Sequence, residues 1–294
     1  MTRCTLALTP PAALIAAART HLGDMARRDW HPLTGGRTNR LWRVGPHVVK
    51  VYDPTAATPV FPNDPDAEWT VLTHLAGTGL APQPLHRLSG AFGEALIYAY
   101  VTGPTGHADL PALAWTLSRL HGQEIPAGLR QAANGSRALL RATDALICAL
   151  RDPAAALHAT RHRLAALPPV PPTPPKLIHA DPVAANVVTS DRGLVLIDWQ
   201  CPAMGDPCED LAIVLSPAMQ SAYGRRLTAR EERTFLSAYP DRRSVERYRR
   251  LAPYYHLRSA AYALWCLETG RGSNAVSVAE ELAAAQAAVS QAAA

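Results

Sequence analysis

The sequence lacks paired cysteines. Its five (Cys4, Cys148, Cys201, Cys208 and Cys266) are odd in number, and no two form a C-x-x-C pair. That argues against a disulfide framework or a zinc site and fits a reducing cytoplasm. No apolar run is long enough to cross a membrane, so no membrane partner is expected. There is no internal repeat. Aromatic residues are sparse at 6%, yet they gather late, as Tyr223, Phe235, Tyr239, Tyr248, Tyr254, Tyr255, Tyr262 and Trp265. Disorder is not expected, because 48% of the 294 residues are hydrophobic and only 18% are charged. That length suffices for one large domain or two lobes, each with its own core. The formal net charge of +5 suits an anionic ligand. Nucleic acid is not expected as a partner, because the arginines are scattered. Their densest cluster (Arg242, Arg243, Arg247, Arg249 and Arg250) is broken by Glu246 and preceded by Asp241, like a solvated helix face.

Along the chain, Arg3 followed by an apolar stretch is faintly signal-like, but Pro10-Pro11 interrupts it. The reading preferred is a helix over 9–21 entered through the prolines, with a signal peptide as the lesser alternative. Residues 29–44 and 47–52 read as two strands joined by Gly45-Pro46. Asn63-Asp64-Pro65 then caps a helix that carries Glu68 and ends at Gly77. A third strand is expected over 93–101. From Gly103 the pattern turns helical: 110–121, one or two helices over 136–167, then 227–239, 244–269, and an Ala-rich helix from Ser273. A proline-dense connector occupies 168–175. The boundary is expected near 101–104, giving a nucleotide-binding lobe over 1–102 and a catalytic and substrate-binding lobe over 103–294.

The stretch 177–211 carries the chemistry. His179-x-Asp181-x-x-x-x-Asn186 is followed twelve positions later by Asp198, at the end of the apolar run Leu194-Val195-Leu196-Ile197. This is the spacing of a kinase catalytic loop and its metal-binding aspartate. Asp181 is a carboxylate that can take a proton from an attacking hydroxyl, and Asn186 and Asp198 are hard oxygen ligands suited to Mg2+. Read alone, Asp181 is a cap before Pro182, and Asn186 and Asp198 are turn and strand-end residues; the shared spacing favours catalysis. Lys50 sits mid-strand among valines and needs an anionic partner. Alone it could equally be an edge-strand lysine that blunts aggregation. Gly35-Gly36-Arg37-Thr38-Asn39 would let backbone N–H groups approach phosphate, although it is not G-x-G-x-x-G and could be an ordinary hairpin turn.

With Gly205-Asp206-Pro207 and Asp210-Leu211-Ala212 added, these motifs resemble the aminoglycoside phosphotransferase and choline kinase superfamily over about 33–211. The resemblance implies a two-lobed, protein-kinase-like α+β fold, with a small antiparallel sheet, a mostly helical second lobe, and ATP between them. It implies transfer of the γ-phosphate, with Mg2+, to the hydroxyl of a small molecule. Asp181 would be the catalytic base, and Asn186 and Asp198 the metal ligands. Gly35, Gly36, Thr38, Asn39, Lys50 and Glu68 would bind nucleotide, with Tyr98 and Tyr100 in the hinge that meets adenine. His179, Asp206 and Asp210 would be structural. Many relatives carry Glu where Gln200 stands, which leaves any ligand role at that position in doubt.

The form Leu-Thr-Gly-Gly-x-Thr-Asn-Arg resembles the choline-kinase and thiamine-kinase branch more than the drug-resistance branch, and this resemblance, with the late aromatics, implies a choline-, ethanolamine- or thiamine-like acceptor, with Glu209 and Glu268 as candidate partners for an amine. At helical spacing, however, those aromatics fit a helical core better than a cation cage. The alternatives are an aminoglycoside-type antibiotic as acceptor, or a catalytically silent nucleotide-binding regulator. A protein substrate is disfavoured, because 198–210 leaves no room for an activation loop. The motifs fix neither the oligomeric state nor the choice of ATP over GTP.

Overall fold

A computed structural model describes residues 9–27, 29–33, 38–273 and 275–292. The fold is α+β, and its chain separates into two compact units, Met1–Pro104 with Val188–Cys201, and Thr105–Val187 with Pro202–Ala294.

The first unit opens with α1 (Ala12–Leu22), which follows Pro11 as its cap. Strands β1 (His31–Pro32), β2 (Arg40–Val44), β3 (His47–Val51), β4 (Pro84–Gly90) and β5 (Gly93–Ala99) form one antiparallel sheet in the order β1-β2-β3-β5-β4. The single strand expected over 29–44 is instead a pair. β1 and β2 run antiparallel with His31 opposite Arg43, and 34–37 lie outside the described residues. The sequence pattern does not predict strand β4. It begins at a proline, lies at the sheet edge and is only partly buried, so its sequence PLHRLSG carries little of the apolar alternation that marks a strand. Leu14, Ala18, Trp42, Val49, Ile97 and their neighbours form the core between α1 and the sheet.

Helix α2 (Pro65–His74) starts at the expected place. The Asp64 side chain accepts from the N–H groups of Asp66 and Ala67 at 2.9 and 3.0 Å, and Pro65 fills the first turn. The helix stops at His74 rather than at Gly77, with Leu75 as its cap.

In the second unit, α3 (Leu110–His121) is capped by Asp109. Helices α4 (Ser136–Cys148) and α5 (Ala155–Ala166) are separated at Asp152-Pro153, since the residue before a proline disfavours helix. After the proline-dense connector comes β6 (Lys176–Ile178). The chain then returns to the first unit through the hairpin of β7 (Val187–Ser190) and β8 (Gly193–Leu196). This hairpin is tied in by Thr189 N–H donating to Pro104 O at 2.9 Å and Leu196 N–H donating to Leu80 O at 3.0 Å. Gly103 must be glycine here: a Cβ at its φ of 149° would sit 2.1 Å from the Thr189 carbonyl oxygen.

Back in the second unit, β9 (Ala203–Gly205) pairs with β6. Helices α6 (Cys208–Leu215), α7 (Pro217–Tyr223), α8 (Ala229–Ala238), α9 (Arg242–Glu268) and α10 (Ala275–Ala292) complete the unit. The Ala-rich α10 packs on α9. Its buried Glu281 accepts from Ala218 N–H at 3.0 Å, holds the Ser216 hydroxyl, and lies 2.7 Å from His256 Nδ1. Among the described residues, no helix is long and apolar enough to cross a membrane.

Candidate active site

In the sheet-bearing unit, everything converges on Lys50, one of only two lysines in the chain. Strand β3 is buried along almost its whole length, so the Lys50 side chain has no route to water and is 0% exposed. Its Nζ donates to Glu68 Oε2 at 2.6 Å and to Asp198 Oδ1 at 2.5 Å. Burial disfavours the ammonium, but Asp198 and Glu68 outweigh it and hold the Lys50 pKa well above the usual lysine range. Burial pushes the Glu68 carboxyl up, against the pull of Lys50. Tyr52 donates its hydroxyl to the same Glu68 oxygen. Glu68 arrives on α2, and Asp198 arrives just after β8.

Asp198 adopts a left-handed backbone (φ 63°), rare for a residue with a side chain, and a mark of a position over-determined by its surroundings. The next two residues hold it in place. Trp199 is buried and donates from its indole to Leu196 O at 2.8 Å. Gln200 O accepts from Asp64 N–H at 3.1 Å, tying this segment to the start of α2. The Gln200 side-chain oxygen accepts from Asn39 Nδ2 at 2.6 Å and from the Thr38 hydroxyl at 3.3 Å. Asn39 and Asn63 exchange amide hydrogen bonds at 2.8 and 2.9 Å, and Asn39 Oδ1 also accepts from Asp53 N–H at 3.0 Å.

The helical unit carries the second group. Asp181 comes after a sharp reversal at Ala180, again left-handed (φ 61°). Asp210 pins that reversal. Its two carboxylate oxygens accept from His179 N–H at 2.9 Å and Ala180 N–H at 2.7 Å. His179 is fully buried, and its Nδ1 accepts from Asp181 N–H at 3.2 Å. The Asn186 amide nitrogen donates to Asp181 O at 3.0 Å and Asp181 Oδ2 at 3.2 Å. That turns the carbonyl end of Asn186 toward use as an acceptor. Asp206 accepts from Cys208 N–H at the start of α6 and pairs with Arg247.

Asp198 in one unit offers a carboxylate, and Asn186 in the other an amide carbonyl. Both are hard oxygen donors of the kind Mg2+ takes. Among the described residues, no cluster of three or more His, Cys, Asp or Glu side chains forms a metal site of its own. A magnesium held by either residue would share phosphate oxygens rather than sit in an all-protein cage.

Of the residues expected to bind nucleotide, Lys50 and Glu68 are brought together, and Thr38 and Asn39 join the Gln200 network. Gly35 and Gly36 lie outside the described residues. Tyr98 is buried in β5, and the Tyr100 ring lies under the Arg43 guanidinium at 4.1 Å. Five of the late aromatics are taken up by the core rather than by a cage. Phe235, Tyr239, Tyr248, Tyr254 and Tyr255 are core residues. Glu209 is buried against Arg258, and Glu268 accepts from Arg151 and Asp152 N–H. Sequence reasoning missed His121, Tyr239, Tyr52 and Asn63. Only Tyr52, next but one to Lys50 on one strand face, carried a signal that periodicity could reveal.

A fold of a small antiparallel sheet followed by a helical unit is that of protein-kinase-like phosphotransferases. The chain belongs to the phosphotransferase enzyme family, whose model matches residues 29–254. A choline/ethanolamine kinase family protein from Mesorhizobium loti aligns at a TM-score of 0.67 and 17% identity, over 94% of each chain. The choline kinase LicA from Streptococcus pneumoniae aligns at 0.61 and 20% identity, over 95% of this chain and 100% of its own. The GDP and kanamycin complex of APH(2")-IIia aligns at 0.62 and 16% identity, over 96% and 99%. No curated protein matches the sequence.

Proposed function

We propose that this phosphotransferase moves the γ-phosphoryl group of Mg-ATP onto the hydroxyl of a small molecule. The observation that carries the reading is the wholly buried Lys50 ammonium held between Glu68 and Asp198. A strand lysine kept charged without water is a fixed positive centre for nucleotide phosphates, and Glu68 sets its position. Asp181 orients the acceptor hydroxyl and receives its proton. The hydroxyl oxygen forms a new bond to the γ-phosphorus, and the bond from that phosphorus to the β–γ bridging oxygen breaks, its electrons leaving on ADP. Asn186 and Asp198 would hold magnesium, which supplies charge neutralisation on the phosphate oxygens. Most of the rate then comes from positioning and from charges already in place.

Two acceptor classes draw support from likeness. The sequence Thr-Gly-Gly-x-Thr-Asn and the choline kinase neighbours support an amino alcohol, and the kanamycin-bound neighbour supports an aminoglycoside. Of the side chains weighed for recognising either cation, Phe235, Tyr239, Tyr248, Tyr254, Tyr255 and Glu209 are buried, while Tyr262 and Trp265 stack on one another half-buried.

The test is ADP release from Mg-ATP across choline, ethanolamine, thiamine, homoserine, neutral alcohols, sugars and aminoglycosides. Acceptor-dependent release supports the reading. Tight Mg-ATP binding with no release on any acceptor points to a nucleotide-binding regulator, and absence of Mg-ATP binding removes the kinase reading altogether.

A further inference from the structure

The helical unit contains a cavity of about 170 Å³. One wall is Pro182, Val183 and Ala184, the three residues after Asp181. Gly106 N–H donates to Ala184 O at 3.0 Å and fixes that wall to the start of the unit. The other walls are apolar: Leu110 and Leu113 of α3, Ile213 and Val214 of α6, Met219 of α7, and Leu227. Among the described residues lining it there is no carboxylate and no phenyl, phenol or indole ring.

Its polar side chains are His107, Gln220 and Arg225. Gln220 is engaged at both ends by backbone, donating to Val214 O at 3.1 Å and accepting from Leu227 N–H at 2.9 Å. Arg225 is paired with Glu231, which does not line the cavity. A cation placed here would lose hydration and find neither a carboxylate nor an aromatic face among the lining residues in exchange. An apolar group loses nothing of that kind and gains dispersion contacts with the apolar walls.

We infer that this cavity receives the non-reacting end of the phosphate acceptor, and that the acceptor is a small uncharged alcohol with an apolar body. It is not a quaternary ammonium alcohol or a polyamine. The inference rests on the phosphotransferase reading above. An apolar cavity of roughly 150 Å³ holds a benzene molecule, so the buried group is on the order of six or seven non-hydrogen atoms. The transfer step itself is unchanged, since the cavity adjoins the Asp181 loop and only fixes which hydroxyl is presented to it.

A matched pair of probes isolates the charge. Choline and 3,3-dimethyl-1-butanol have the same shape, and differ in a quaternary nitrogen against a quaternary carbon. ADP release from Mg-ATP and ligand-observed NMR binding are measured for both with the full chain. The neutral alcohol is expected to be favoured at least about tenfold in kcat/KM, or in binding if neither is turned over. Equal or better performance by choline overturns the inference, as does binding of neither probe by protein that binds Mg-ATP. In both cases the phosphotransferase reading stands. Failure to bind Mg-ATP counts against that reading, whereas NMR binding of the two probes still decides the cavity. Met219→Glu, at a half-buried position, is expected to move the preference toward choline by at least about tenfold. An unmoved preference in a variant with unchanged Tm would overturn the assignment to this cavity.

Discussion

The imidazole of His121 joins Asp210 to Tyr239. Its Nε2 lies 3.0 Å from Asp210 Oδ2 and its Nδ1 lies 2.7 Å from the Tyr239 hydroxyl, all three side chains buried. A carboxylate only accepts, so Nε2 donates to Asp210, and in the neutral ring Nδ1 accepts from tyrosine. Asp210 in turn holds the two N–H groups that set the left-handed Ala180 before Asp181. On the proposed reading, His121 is a positioning residue for the Asp181 loop, acting two hydrogen bonds away. His121→Leu should lower kcat at least about tenfold, while KM for ATP stays within about threefold, since the loss is of loop geometry. A parallel rise in KM with unchanged kcat would show that the chain of bonds does not position the base.

The Lys50–Glu68–Asp198 cluster separates stability from activity. Lys50→Met leaves two carboxylates without their counter-charge in a buried place, and should cost about 3–5 kcal/mol in denaturant unfolding. Lys50→Met with Glu68→Leu removes most of that imbalance, and should recover much of the stability while Mg-ATP turnover stays lost. Recovery of turnover by the double variant would contradict the role given to Lys50.

Gln200 connects the loop of Thr38 and Asn39 to the segment after Asp198. Gln200→Leu takes one acceptor from the buried Asn39 amide nitrogen, which keeps only Asn63, at a cost of about 1–3 kcal/mol. Because the loop it releases is the one assigned to the nucleotide, the Kd for Mg-ATP should rise by about tenfold. Gln200→Glu keeps the acceptor oxygens and should bind nucleotide nearly as the parent does. Isothermal titration of both variants checks this.

The alkaline limb of stability is set by buried groups. Burial raises the pKa of Tyr52, Tyr98, Tyr248 and Tyr255, with nearby carboxylates adding to it, and the carboxylates around Lys50 raise its pKa despite burial. Each group keeps its proton in the folded chain at a pH where the unfolded chain releases it. Their contribution is complete below the unfolded values near 10, and is lost as pH rises above them. Stability should therefore be flat toward pH 10 on account of these groups and fall beyond it, and tyrosinate absorbance of these residues should rise only with unfolding. Tyrosinate formation by all nine tyrosines at pH 10 in folded protein would contradict it.

The sequence revealed most where a residue's task depends on spacing along the chain. His179, Asp181, Asn186 and Asp198 are close in sequence, so the motif that marks the candidate loop could be picked out directly. The cap at Asp64, and α3 from Leu110 to His121, were legible because an Asp-Pro start and apolar periodicity are local signals. The edge strand β4 was not, since half-exposed strands lose their alternation. Nor were His121 and Tyr239, which lie 89 and 29 positions from Asp210 and meet it only through packing. For most of the late aromatics the preferred reading, a helical core rather than a cage, agrees with the fold. Their spacing is that of a helix face, and burial in the core, rather than exposure to a ligand, is what the fold made of five of them.

The central claim is that Asp181 takes the acceptor's proton while the lysine-centred cluster holds the nucleotide. It is tested most directly by Asp181→Asn, comparing acceptor-dependent ADP release with Mg-ATP affinity in the same preparation. The predicted result is a fall in kcat on the order of 10²–10⁴ with the Kd for Mg-ATP within about threefold. A variant that keeps its rate, or that loses nucleotide affinity in step with it, would contradict the claim.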